Sequence, residues 1–198
     1  MTGSIRMKLF LAMPLVLAPT LASAHTGLGD TAGLLHGFMH PIGGLDHILA
    51  MVMVGVFAFQ LGGRARWALP AAFVGMMAVG GLLGMGGIAV PFVELGIALS
   101  VIVLGTVVAF GVQAPVAAAI GVVGLFAIFH GHAHGAEMPE NAAGLAYGVG
   151  FMAATALLHL TGLGGGLLLG MARHGRAAMR TAGGLAAVAG LGILAGVV

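Results

Sequence analysis

Apolar residues run almost unbroken along most of the chain, with no alternation between apolar and polar positions. Six such runs stand out, near residues 32–61, 67–87, 88–110, 114–130, 142–170 and 179–198. Each reaches the roughly 17–25 residues that a helix needs to cross about 30 Å of hydrocarbon. Continuous apolar runs predict helices, because a membrane barrel needs period-two strands. The predicted fold is therefore all-α, a polytopic membrane helix bundle of about six transmembrane helices. The second and third runs meet at residues 84–87, with Pro91 just beyond, which predicts a tight turn. The first and fifth are long enough to tilt or to contain a break. No soluble domain, charge run or long linker separates them.

The first 24 residues read differently. Arg6 and Lys8 precede a ten-residue apolar core at 9–18, too short to span, and Ala22-Ser23-Ala24 supplies a small-x-small cleavage pattern. This predicts a signal peptide over 1–24 and a six-helix transmembrane domain over 25–198. Cleavage would make His25 the N-terminus, where the amine and the imidazole together could chelate a metal. The remaining charges predict orientation. Arg64, Arg66, Arg173, Arg176 and Arg180 fall in two loops on one side of a six-span arrangement, while Asp30, Glu137 and Glu140 fall on the other. Basic loops stay inside. The expectation is a multi-pass protein of the cytoplasmic (inner) membrane with both mature termini on the outer, periplasmic side.

Composition narrows the class. Hydrophobic residues make up 60% of the 198 and charged residues only 6%, against about 25% charged in soluble domains. Neither a soluble globule nor a disordered chain fits. The net charge of +2 comes without a dense basic cluster or many aromatics, which argues against a nucleic-acid partner. The 37 glycines follow no triplet period and predict close helix packing in lipid, as at Gly80–Gly84, Gly162–Gly166 and Gly192–Gly196. Cysteine is absent, so thiolate ligands and thiol nucleophiles are excluded. Nine histidines remain, and they concentrate the chemistry.

Two polar clusters interrupt the apolar background. The first holds His36, His40, Pro41, Gly43, Gly44, Asp46 and His47, with Met51 one turn further on. On an unbroken helix, His36, His40 and His47 share a face but spread over about 16 Å, too far for one ion. Pro41 cannot donate its backbone bond and the two glycines loosen the next turn, so a break near Pro41 and Gly44 could fold the halves together. A carboxylate such as Asp46 costs at least about 2.5 kcal/mol in hydrocarbon, so it needs a cation, a proton or a partner. His beside Asp suits Ni²⁺, Co²⁺ or Zn²⁺. The second cluster is His130, His132, His134 and Glu137. As a helix it puts His130, His134 and Glu137 on one stripe with His132 elsewhere; as an extended segment it aligns the three histidines. Either can bind metal. Glu94 and His159 are secondary candidates as intramembrane polar residues, alongside His25 and His132. The structural alternative is a helix-packing hydrogen bond for Glu94 and His159, a solvated His-rich loop for the cluster with His132, and a frayed N-terminus for His25.

At this point the residues carry a resemblance. His40-Pro41-Ile42-Gly43-Gly44-Leu45-Asp46-His47-Ile48-Leu49-Ala50-Met51 is similar at every specified position to the HPxxGxDHxxAM signature of the HupE/UreJ family of nickel/cobalt membrane transporters. Residues 129–137 resemble that family's second motif, FHGxAHGxE. The resemblance covers the whole chain. It implies import of Ni²⁺, with Co²⁺ as the other candidate, for hydrogenase or urease maturation, and no catalytic cofactor. It carries the motif roles to His40, Asp46, His47, His130, His134 and Glu137, with His36 beside them. The partners it implies are the metal ion and the lipid bilayer, and a homo-oligomer is compatible with it. The chain has no nucleotide-binding Walker motif, so either a channel-like facilitator or a carrier coupled to protons or potential fits. The rival reading is a membrane-embedded metal-dependent hydrolase, in which His and Asp from neighbouring helices hold Zn²⁺ and an activated water.

Overall fold

The computed structural model describes residues 33–138 and 142–197, so the expected signal peptide and His25 lie outside the described residues. Among the described residues seven helices follow in order: α1 Leu34–Gly43, α2 Leu45–Leu61, α3 Ala65–Met85, α4 Val93–Phe110, α5 Val116–Gly135, α6 Ala142–Gly170 and α7 Gly175–Leu194. Five of them are long and apolar enough to cross a membrane, and α1 with α2 forms one bent pair that passes the same test. The result is a helical, multi-pass bundle of up to six spans, because only helices satisfy every backbone N–H within their own segment in hydrocarbon. The fifth run is an unbroken helix. The fourth extends to Gly135 and so carries the histidine cluster inside it. The turn expected at 84–87 is instead a link from Gly86 to Phe92.

The break falls at Gly44, where the axes of α1 and α2 diverge by 84°. Pro41 sits inside α1 and withholds the bond that the Gly37 carbonyl would otherwise receive. Gly44 itself has φ −98 and ψ 124, an extended conformation open to any residue. Its need for glycine is spatial. A Cβ there would stand 2.7 Å from Asp46 Oδ1 and 3.1 Å from His47 Nδ1. Asp46 lies in the first turn of α2, where the helix dipole favours a carboxylate.

Glycines set the helix contacts. In the α3–α5 pair, a Cβ on Gly80 would strike the Ile128 carbonyl, and one on Gly131 the backbone of Met77 and Gly81. Gly55 on α2 faces Gly162 on α6, Gly37 on α1 faces Tyr147, and Gly105 on α4 faces Gly183 on α7. The expected pairs Gly80–Gly84 and Gly162–Gly166 thus lie in contacts. Gly196 does not: it follows the end of α7 and faces open space. At the arginine-bearing end, Arg180 Nε donates to the Ala109 carbonyl at 2.7 Å and joins α7 to the end of α4.

The α3–α5 contact explains the second motif. Each of His130 and His134 is followed by glycine, so one stripe of α5 carries imidazoles while the adjacent stripe, Gly131 and Gly135, seats backbone to backbone on α3. A side chain at Gly131 has nowhere to go but into the Met77 carbonyl. Gly131→Ala is therefore expected to lower stability by about 1–3 kcal/mol in a thermal unfolding series of purified protein. Gly164→Ala, whose Cβ meets open space, should leave stability unchanged or raise it by up to about 1 kcal/mol through helix propensity.

Candidate functional site

The 84° bend turns α1 back so that His40 stands with its ring centroid 6.2 Å from that of His47. Helix α5 brings His134 to 4.6 Å from His40 and 4.7 Å from His47, and His130 to 5.0 Å from His47. Four imidazoles from both motifs thus meet between α1, α2 and α5. His36 lies one turn outward, 6.5 Å from His40. Helix α6 supplies an aromatic wall: Phe151 is 4.6 Å from His134, and Tyr147 is 5.8 Å from His36 and 5.9 Å from His40. His47, His130 and His134 are buried.

Hydrogen bonds dictate which nitrogen each ring presents. Asp46 Oδ1 accepts from the His47 backbone N–H at 2.8 Å and from His47 Nδ1 at 2.9 Å. With its proton on Nδ1, neutral His47 aims a bare Nε2 at His134 Nε2, 2.6 Å away. Ser100 gives its single hydroxyl proton to the Ile97 carbonyl at 2.6 Å, so its oxygen accepts from His130 Nε2 at 3.0 Å. Neutral His130 then has its lone pair on Nδ1, which is buried and without a partner among the described residues, as is His134 Nδ1. Asp46 and Ser100 act alike: each holds the proton of one histidine and leaves the opposite nitrogen bare.

The spacing of these donors is that of a hydrogen-bonded cluster. Two nitrogens each about 2.1 Å from one ion lie about 3.0 Å apart at a right angle and about 3.4 Å apart in a tetrahedron. His47 and His134 are closer than either, and among the described residues no three His, Asp or Glu side chains are arranged to hold one ion as they stand. Binding would require the two nitrogens to separate by about 0.4–0.8 Å, within the reach of side-chain torsions.

A cavity of about 410 Å³ opens onto the cluster. Exposed His36, Met39 and Glu94 stand at its rim, and Asp46 with buried His47 and His134 lie deeper. Its volume accommodates several waters. Glu94, on the first turn of α4, is thus brought to the same space as the first motif. Glu137 is not among the lining residues. Helix α5 ends at Gly135, so the stripe expected to carry Glu137 is not continued, and Glu137 lies exposed in the following turn. His132 points away and its Nε2 meets the Ile88 carbonyl at 2.8 Å. His159 is buried deeper on α6, beside Phe73. Ser100, Tyr147 and Phe151 were not among the sequence candidates. The one local signal was Ser100, a hydroxyl in a largely apolar helix.

Comparison with known proteins identifies the family. The family described as HupE / UreJ protein matches residues 13–193. The chain is 50% identical over 181 residues to Protein HupE of Rhizobium leguminosarum bv. viciae, an overlap covering 90% of this chain and 92% of the relative. No solved structure matches the chain. A match across nearly the full length, with both motifs intact and folded into one cluster, makes this chain a member of the HupE/UreJ family.

Proposed function

We propose that this protein carries Ni²⁺, with Co²⁺ as a second substrate, across the cytoplasmic membrane into the cell. Family membership supports a nickel or cobalt transport role in general. The observation that carries the more specific reading is the set of buried imidazole nitrogens that carry no proton: His47 Nε2, oriented by Asp46 and hydrogen-bonded to His134 Nε2, and His130 Nδ1, oriented by Ser100 and without a partner among the described residues. Neutral imidazole nitrogens are ligands of choice for borderline divalent ions, and without thiolates they favour Ni²⁺ and Co²⁺ over softer Cu(I).

The route begins at the rim. Glu94 and His36 attract a hydrated cation and begin to replace its water. His40 and His134 pass it to the bare Nε2 of His47, with His130 below. Ligands drawn from three helices by side-chain movement bind an ion firmly enough to replace hydration yet release it again, which conduction requires. In this reading, which the positive-inside rule supports, the cavity faces the outer side and the arginine-bearing turns face inside. A divalent ion then gains about 4.6 kcal/mol from a 100 mV inside-negative potential, at ~2.3 kcal/mol per charge. That is sufficient to drive uptake without another coupling ion. Delivery to hydrogenase or urease maturation is the cellular role that fits this substrate. An enzyme using the same ligands would keep the ion where it binds, so movement of the metal separates transport from the hydrolase reading.

Two measurements follow. In cells expressing the chain, ⁶³Ni accumulation should fall at least about tenfold with Asp46→Asn and to background with His47→Ala, since losing a ligand's orienting partner typically costs 10–100-fold. Accumulation equal to wild type in both would remove the central cluster from the route. Ser100→Ala frees His130 to change tautomer and should weaken Ni²⁺ binding by purified protein roughly tenfold, read by titration calorimetry, without unfolding it.

A further inference from the structure

His159 belongs to neither motif, and its setting differs from that of the other histidines. It is fully buried on α6, and neither Nδ1 nor Nε2 has a hydrogen-bond partner among the described residues. A neutral imidazole offers one donor and one acceptor, and leaving both unmade in an apolar interior forfeits the hydration of each. A histidine kept for packing alone would be expected to have a partner, as Ser100 serves His130. Thr155 lies one turn earlier on the same face of α6, in reach of that role. Its hydroxyl instead points to Met77 Sδ at 3.7 Å.

The position is as telling as the missing partners. Phe73 and Met77 lie one turn apart on α3 and face His159 and Thr155 on α6. The Phe73 ring stands edge-on 4.9 Å from His159 and tilted 5.6 Å from His130. With His47 and His130 at 5.0 Å, the rings of His47, His130, Phe73 and His159 form a continuous file leading away from the cavity. Eleven residues separate His159 from the end of α6 at Gly170, about 16 Å along the axis, and the arginine-bearing turn follows there. The file therefore runs from the four-histidine cluster toward the inner ends of the helices.

We propose that His159 is a second ion-binding station, taking the divalent cation after it leaves the cluster and passes the ring of Phe73. An imidazole nitrogen of His159 is the principal ligand, with the Thr155 hydroxyl and the Met77 thioether as weaker neighbours. A site with so few strong donors holds an ion loosely, as an exit station must. The inference rests on the transport reading above.

The test uses full-length protein in liposomes with an inside-negative potential and a trapped Ni²⁺ indicator. His159→Leu keeps the volume and removes both nitrogens. It is expected to lower the initial Ni²⁺ flux at least about tenfold, while Ni²⁺ binding at the cluster stays within about twofold and thermal stability is unchanged or higher. Because the chain has no cysteine, His159→Cys introduces a single thiol. That thiol should react with a small water-soluble methanethiosulfonate, and Ni²⁺ should slow the reaction. Wild-type flux in a folded His159→Leu protein overturns the second station and leaves the transport reading standing. A thiol in His159→Cys that never reacts, or reacts equally with and without Ni²⁺, overturns it too, and decides the matter if His159→Leu does not fold. Absence of Ni²⁺ flux in the wild-type protein overturns the transport reading and this inference with it.

Discussion

Everything in the polar interior depends on one interruption of a helix. In hydrocarbon the backbone must bond to itself, so a straight span can present two side chains to one point only if they lie within a turn or so of each other. His40 and His47 are seven residues apart, about two turns. The 84° bend at Gly44 removes that separation and sets their rings 6.2 Å apart. The bend also exposes the start of α2, where Asp46 gains from the helix dipole and reaches back to both the backbone and the ring of His47. Proline withholds a bond, glycine leaves space, and the carboxylate occupies the new helix end. One short segment thus supplies the turn, the ligand candidate and the group that orients it.

The second half of the cluster rests on close packing. Lipid offers no hydrophobic drive for helices to associate, so contact area and backbone approach must do so. Gly131 and Gly135 seat α5 on α3, and the rotation this imposes directs His130 and His134 toward α2. Histidine and glycine in the motif are therefore two halves of one instruction, the first giving chemistry and the second aiming it. The same logic brings α6 to α1 through Gly37 and places Tyr147 and Phe151 as a wall around the imidazoles.

Much of this was legible beforehand, for physical reasons. Apolar run length reports span number directly, and six runs correspond to five long helices and one bent pair. The break near Pro41 and Gly44 could be read because proline and paired glycine have only a few uses inside a span. Other features depended on long-range contact and could not be read locally. Nothing at Ser100 indicates that His130 will lie 3.0 Å away across thirty residues. Glu94 became meaningful only when α4 brought it to the cavity of the first motif. Glu137 shows the opposite case. Its place on the histidine stripe assumed a helix that ends two residues too early. Asp46 likewise has a contact that its position alone did not reveal: its carboxylate accepts from both the backbone and the ring of His47.

The central claim is that the two motifs, folded together by the break and the glycine contacts, contribute to a single site for one divalent ion. Nickel K-edge X-ray absorption of the purified protein loaded with one equivalent of Ni²⁺ addresses this most directly. The account predicts a first shell rich in imidazole nitrogens, with the ring-scattering signature reduced by about one histidine in His47→Ala and by about one in His134→Ala. A shell of oxygens alone, or an imidazole signature that responds to only one of the two substitutions, would contradict it.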